Sequence, residues 1–358
     1  MDKNPLQKEV YLLNENKQKY AYLNVLRVLA TLGIIITHVV SPMDSAFKNT
    51  LTEYESYFCI ILRNISQLCL PVFAMISGAI FLDPQKEITI EKLFKKYILK
   101  ITLALFIFGS VYAFIEMFFN ASYNFSLNQI YMSIANVFHG KLWSHLWYLY
   151  VIIGLYICVP PLKIFVNHSG KNILKYTVIV LFVFSSVRPF MERAFLTNIG
   201  FHIAIGSVFP LYFLLGHYIH NYKIALKNRT LLIFMAVYLS CIVLMPLNSN
   251  FADIFPGGGE PFWEVSSPLA SMAVFAIFCF IRQNNKSNRF FDTLSPMCFG
   301  IYLTHPLFIN FLYKFMRFTP EKYPLSIVLI GALTITILFS TCFTYFARKL
   351  TIARKYIL

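Results

Sequence analysis

The chain has 358 residues, of which 58% are apolar and 13% charged, with a mean hydropathy of +0.62 and a formal net charge of +15. A soluble domain carries about 25% charged residues, so the composition excludes a soluble globular protein. The basic residues are scattered between apolar spans, which excludes a nucleic-acid surface, and the seven cysteines stand singly without metal-ligand spacing.

A membrane helix takes about 20 largely apolar residues. Ten such segments can be placed, at 22–40, 58–82, 97–119, 145–166, 173–189, 201–219, 230–248, 265–281, 293–315 and 325–347. The alternating strands of a membrane β-barrel are absent from the pattern. The predicted fold class is therefore all-α, a polytopic integral membrane bundle of about ten transmembrane helices. One membrane domain runs over 22–347, with tails at 1–21 and 348–358. The first span reads as retained rather than as a signal peptide, because it follows a polar tail and carries Arg27 and His38. Alternating the loops puts 21 Lys and Arg on the side of both termini and 7 on the other. By the positive-inside rule both termini are cytoplasmic. The longest predicted outer loops are 41–57, 120–144 and 249–264.

Ionisable residues inside apolar spans are costly unless paired or solvated, so each is a functional candidate. In the first span, YLNVLRVLATLGIIITHVV, Arg27 and His38 are eleven residues apart. At about 100° and 1.5 Å per residue they share a helix face and lie about 16 Å apart, with Arg27 toward the cytoplasm. A bland alternative stands beside this: Arg27 snorkels to headgroups and His38 marks the outer boundary. The second span carries Arg63, Asn64 and Gln67 in its outer half, then Pro71 and the Ser77-Gly78 pair, which read as a kink and a close packing point. No G-x-S-x-G elbow surrounds Ser77, so a serine nucleophile is not expected.

Lys95, Lys96 and Lys100 cluster before and into the third span. They suit an anchor to anionic lipid or a phosphate-rich donor arriving from the cytoplasm. Glu116 lies near the outer end of that span. The fourth opens with Trp143, His145 and Trp147, an interfacial aromatic belt in which His145 shares the depth of His38. His202 starts the sixth span. The connection DIFPGGGEPFWEVSS sets Asp253, Glu260 and Glu264 beside aromatic residues, a loop first and a sugar-holding surface second. The ninth span places His305 near or beyond its midpoint, before Pro306.

These elements, in this order, resemble the membrane-bound acyltransferase 3 family, which O-acylates bacterial surface carbohydrates. The resemblance covers nearly the whole chain. It is carried by Asn-Val-Leu-Arg27-Val-Leu-Ala with an R-x10-H spacing to His38, by Pro71 to Gly78, and by the basic approach to the third span. It continues through His145-Leu-Trp147-Tyr-Leu, Leu214-Leu-Gly216 and Phe299-Gly-Ile-Tyr-Leu-Thr-His305-Pro. The chain is most similar to short members without a fused hydrolase domain.

The resemblance implies an O-acyltransferase, specifically an O-acetyltransferase, of the bacterial cytoplasmic (inner) membrane. Acetyl-CoA would be the donor, no metal would be needed, and the acceptor would be a hydroxyl of a cell-surface glycan or its lipid-linked precursor. The implied partners are the lipid bilayer, acyl-CoA and that carbohydrate, without nucleic acid. His38 and Arg27 would be the catalytic pair, with Arg27, Lys95, Lys96 and Lys100 holding the donor. His145, His305, Arg63, Glu116 and Trp147 would line the cavity. The family tends to carry R-x-x-R at the third helix; here Tyr97 and Lys100 take those places, and lysine neutralises phosphate without arginine's bidentate fork. The chemistry agrees with this inventory. Acyl transfer to a hydroxyl uses a base of near-neutral pKa, which histidine supplies, and a group that stabilises the oxyanion. Direct transfer and an acyl-histidine intermediate both remain open. A carbohydrate exporter or flippase without acyl transfer is the competing reading, although the sequence lacks clear inverted repeats. A polysaccharide polymerase would call for a large arginine-rich outer loop, and these loops are short and arginine-poor.

Overall fold

The computed structural model describes residues 19–120, 125–143, 145–201, 203, 206–244, 264–284 and 288–358, and among these every regular element is helical. The first half contains α1 (Ala21–Ser45), α2 (Glu53–Gln67), α3 (Cys69–Phe81), α4 (Ile90–Asn120), α5 (Leu127–Phe138), α6 (Trp147–Ile157) and α7 (Val159–His168). The second contains α8 (Lys171–Ala194), α9 (Phe209–Asn221), α10 (Asn228–Leu244), α11 (Pro268–Gln283), α12 (Arg289–Leu294), α13 (Cys298–Asn310), α14 (Leu325–Ala347) and α15 (Thr351–Tyr356). His202, Asp253 and Glu260 lie outside the described residues.

Among the described residues five elements are long and apolar enough to cross a membrane: α1, α2 with α3, α4, α8 and α14. The bent pair α6 and α7, which turns by 51° at its break, makes a sixth if it is one span. The remaining apolar segments fall on the shorter α9, α10, α11 and α13. Two loops differ from expectation. The chain predicted as loop over 120–144 forms α5, because Ser126 and Gln129 build a reciprocal capping box at its start. The 41–57 loop shrinks, since α1 runs on to Ser45 and a Thr52–Glu55 capping box starts α2 at Glu53.

The side-chain distribution of α14 identifies the solvent around the bundle. Its buried face includes Ala332, Thr336, Ser340 and Thr344, while Ile327, Ile330, Leu338, Phe339 and Phe343 face outward. A helix at a water surface has the opposite arrangement. Small and hydroxylated residues inside, with large apolar ones outside, are the packing expected in lipid. At 1.5 Å per residue, the 23 residues of α14 extend about 35 Å, enough for a hydrocarbon core of about 30 Å.

Around α1 are packed α2, α3, α11, α12, α13 and α14. This central position explains why its polar residues reach interior cavities. The second predicted span breaks between α2 and α3 at Leu68. Pro71, which has no N–H to offer the Gln67 carbonyl, accounts for the break. Beyond it, α3 crosses α9 backbone to backbone. A Cβ on Gly78 would lie 1.8 Å from the Phe213 carbonyl oxygen, and one on Gly216 would lie 2.0 Å from that of Met75. Every residue of α9 except Pro210 and Asn221 is buried.

Candidate active site

Three internal spaces lie along the face of α1 that carries Arg27 and His38. The first, about 420 Å³, is lined by Arg27, Lys86, Tyr97, Lys100, Ser77 and Tyr156 among others. Among the described residues three cations and no carboxylate line it, so it suits a polyanion. The Arg27 guanidinium is oriented by its surroundings: Nη1 donates to Ser295 Oγ at 2.7 Å, Ser295 donates to Asn24 Oδ1 at 2.9 Å, and Asn24 donates to Asp292 at 2.8 Å. Burial lowers the Lys86 ammonium to about 8, against the raising influence of Asp83. The Ser77 hydroxyl lies 3.2 Å from that of Tyr156.

The second space, about 540 Å³, holds His38, Ser41, Glu116, Trp143, His145 and Lys314 on its walls. Between the two is a chamber of about 260 Å³, whose lining includes Thr37, His38, Gln67, His145, Trp147 and Tyr302. His38 and His145 therefore face both the chamber and the larger cavity. Tyr302 faces both the chamber and the Arg27 cavity.

At the junction three imidazoles converge. Ring centroids lie 5.2 Å apart for His38 and His305, 5.5 Å for His145 and His305, and 6.1 Å for His38 and His145. His145 and His305 are buried, whereas His38 keeps partial access through the cavities. Local structure supports this cluster from two sides. Tyr302 Oη donates to the His145 backbone carbonyl. Tyr112 Oη donates to the Leu303 carbonyl at 2.6 Å and its ring stacks on Trp143, with centroids 4.3 Å apart. Trp143 Nε1 in turn donates to Glu116 at 2.9 Å. The arrangement can take a proton from a hydroxyl at the centre of the bundle and hold negative charge at one end.

Of the residues singled out from the sequence, His38, His145, His305, Glu116 and Trp147 come together at the junction and its two adjoining spaces. Arg27 and Lys100 share the cationic cavity with Tyr97, the other position matching R-x-x-R. Lys95 instead pairs with Glu91 at 2.8 Å on the exposed surface, and Lys96 sits over the Tyr97 ring at 5.5 Å. Arg63 pairs with Asp44 at 2.8 Å, which occupies it between α1 and α2. Glu264 is engaged by Arg193. Two residues were not anticipated. Lys86, one of the 21 basic residues counted on the side of both termini, stands in a loop with no other signal in the sequence. Tyr302 could have been noticed, since it lies one helical turn before His305 and so shares its face.

A family model described as an acyltransferase domain matches residues 20–345. No curated protein and no solved structure matches the chain.

Proposed function

Because the chain belongs to the acyltransferase 3 family and is thereby a membrane acyltransferase, we propose that it is an O-acetyltransferase. It moves an acetyl group from cytoplasmic acetyl-CoA to a hydroxyl of a cell-surface glycan or its lipid-linked precursor, in the bacterial inner membrane. The observation that carries this reading is that the histidine cluster borders a polar cavity and a chamber, and that Tyr302 is shared by this chamber and a cationic cavity with no carboxylate among its described lining residues. The excess of Lys and Arg on the side of both termini supports a cytoplasmic opening for the cationic cavity. Ten spans with both termini in the cytoplasm go with this reading.

In this scheme Arg27, Lys86 and Lys100 hold the phosphates of the donor. Acyl-CoA, when bound, supplies the acyl group as an activated thioester. His38 takes the proton of the acceptor hydroxyl as its oxygen attacks the thioester carbonyl. The carbon–sulfur bond breaks, and His38 returns that proton to the departing thiolate. Partial access from the chamber and the outer cavity lets His38 meet both substrates.

The test is transfer of labelled acetyl from acetyl-CoA to a panel of lipid-linked and polymeric glycans by purified protein in liposomes. Transfer that needs His38 is expected. Full transfer by His38→Ala at normal protein level would remove His38 as the base, and movement of unmodified glycan without any transfer would replace the enzyme by an exporter.

A further inference from the structure

We infer that His305 is a positioning residue for His38: its Nε2 lone pair accepts the N–H of His38 and leaves the opposite His38 nitrogen free to take the acceptor proton. This rests on the reading of His38 as the base, and adds to it a fixed tautomer.

The argument starts at Pro306. A proline inside a helix has no N–H, so the carbonyl four residues earlier loses its helical partner. In α13 that carbonyl belongs to Tyr302. The vacancy is filled by a side chain, because His305 Nδ1 lies 2.7 Å from the Tyr302 carbonyl oxygen, with the Ile301 carbonyl at 3.3 Å. Carbonyl oxygens only accept, so Nδ1 carries the proton and Nε2 presents a lone pair. His305 is fully buried, and among the described residues its Nε2 has no hydrogen-bond partner. A buried acceptor left in this way is destabilising unless something donates to it.

Among the described residues the imidazole whose ring lies nearest is that of His38, with centroids 5.2 Å apart and planes inclined by 48°. Two imidazoles joined by a hydrogen bond of about 2.9 Å have centroids about 5 Å apart, so a ring rotation of His38 completes the contact. Once His38 donates there, its other nitrogen is unprotonated. The Tyr302-Leu-Thr-His305-Pro306 sequence thus forms one device: proline frees a carbonyl, the carbonyl sets the His305 tautomer, and His305 sets that of His38.

Two variants and one measurement on the unaltered protein test this. His305→Leu should lower kcat for acetyl transfer about 100-fold or more while leaving KM for acetyl-CoA within about twofold, the loss expected when a general base is wrongly oriented. His305→Gln keeps an acceptor where Nε2 stood and should recover at least about tenfold of that loss. Equal rates for the two variants, a kcat of His305→Leu close to the unaltered value, or a KM that rises with the loss would each overturn the proposal. In ¹⁵N spectra of histidine-labelled protein in nanodiscs, the resonance missing from His305→Gln should report a proton on Nδ1, and a proton on Nε2 would refute it whatever the variants do. The outcomes separate the two layers. Activity in His38→Ala removes the base itself, whereas an inactive His38→Ala beside a fully active His305→Leu removes only the role of His305.

Discussion

The hydroxyl of Tyr302 donates to the backbone carbonyl of His145, so the ring that separates the Arg27 cavity from the inner chamber is pinned at its tip to the wall opposite α13. A pinned ring shared by the two compartments leaves His38 and His145 on the chamber side, with Tyr302 between them and the Arg27 cavity. Enclosing a reactive thioester away from bulk water suppresses its hydrolysis.

Removing that ring should therefore uncouple the reaction. Tyr302→Ala is expected to raise acceptor-independent hydrolysis of acetyl-CoA about tenfold while lowering transfer. Tyr302→Phe keeps the ring and loses one hydrogen bond of about 1 kcal/mol, so its hydrolysis should stay close to that of the unaltered enzyme. Thiol release with and without acceptor measures both.

Lys86 supplies a pH dependence to the same cavity. Burial lowers its ammonium to about 8, so it is charged below that value and neutral above it. KM for acetyl-CoA should rise as pH passes from 7 to 9.5, by about tenfold if one charge-assisted hydrogen bond of about 1.5 kcal/mol is lost. Lys86→Gln should start at the high value and show no such rise, as initial-rate kinetics across that range will report.

The α3–α9 crossing offers a stability test with an internal control. A Cβ on Gly78 would meet the Phe213 carbonyl oxygen at 1.8 Å, so the helices must part. Overpacking of this kind costs about 1–3 kcal/mol, and Gly78→Ala should lower the thermal midpoint in detergent by several degrees. Gly154, whose Cβ position has no described residue within 4 Å, should accept alanine without loss.

Asp83 ties the start of α1 to α9. Its carboxylate accepts from Lys19 at 2.6 Å, Tyr20 at 2.5 Å and the Gln85 N–H at 3.0 Å, with His220 Nε2 at 3.4 Å. Burial raises its pKa, but the bonds from His220, Lys19, Tyr20 and Gln85 outweigh that and hold it well below the ordinary carboxylate range. The folded protein thus binds this proton less readily than the unfolded chain. The resulting stabilisation is fully present above the ordinary value near about 4 and is lost as pH falls below it. Asp83→Asn should lose about 1–3 kcal/mol at pH 7. Thermal midpoints measured from pH 6 to pH 3 should fall less steeply for this variant than for the parent.

The placement of Arg27 and His38 in the candidate site was legible because helical arithmetic is rigid. Eleven residues fix the common face of Arg27 and His38 whatever surrounds them, and the depth of His145 follows from where its span begins. The convergence with His305 needed tertiary packing, since nothing in residues 298–310 states which face of α13 meets α1. The basic cluster was harder to place. Lys95 and Lys96 lie in a π-helical stretch, Leu93–Ile98, where the wider turn shifts the phase of the side chains. Regular periodicity could not reveal that Lys100 reaches the cavity while Lys95 remains at the surface. A loop residue such as Lys86 has no periodicity to read.

The inverted burial of α14 also reverses the usual map of tolerated substitutions. Leu338 is 57% exposed, a position where a soluble protein accepts lysine freely. Here it faces hydrocarbon, and a lysine near the middle of a spanning helix costs about 2.5–3.5 kcal/mol on insertion scales. The inward Thr336 and Ser340, polar and buried, are by contrast the places where a small apolar residue can enter at little cost. Along α14, accessibility is a measure of contact with lipid.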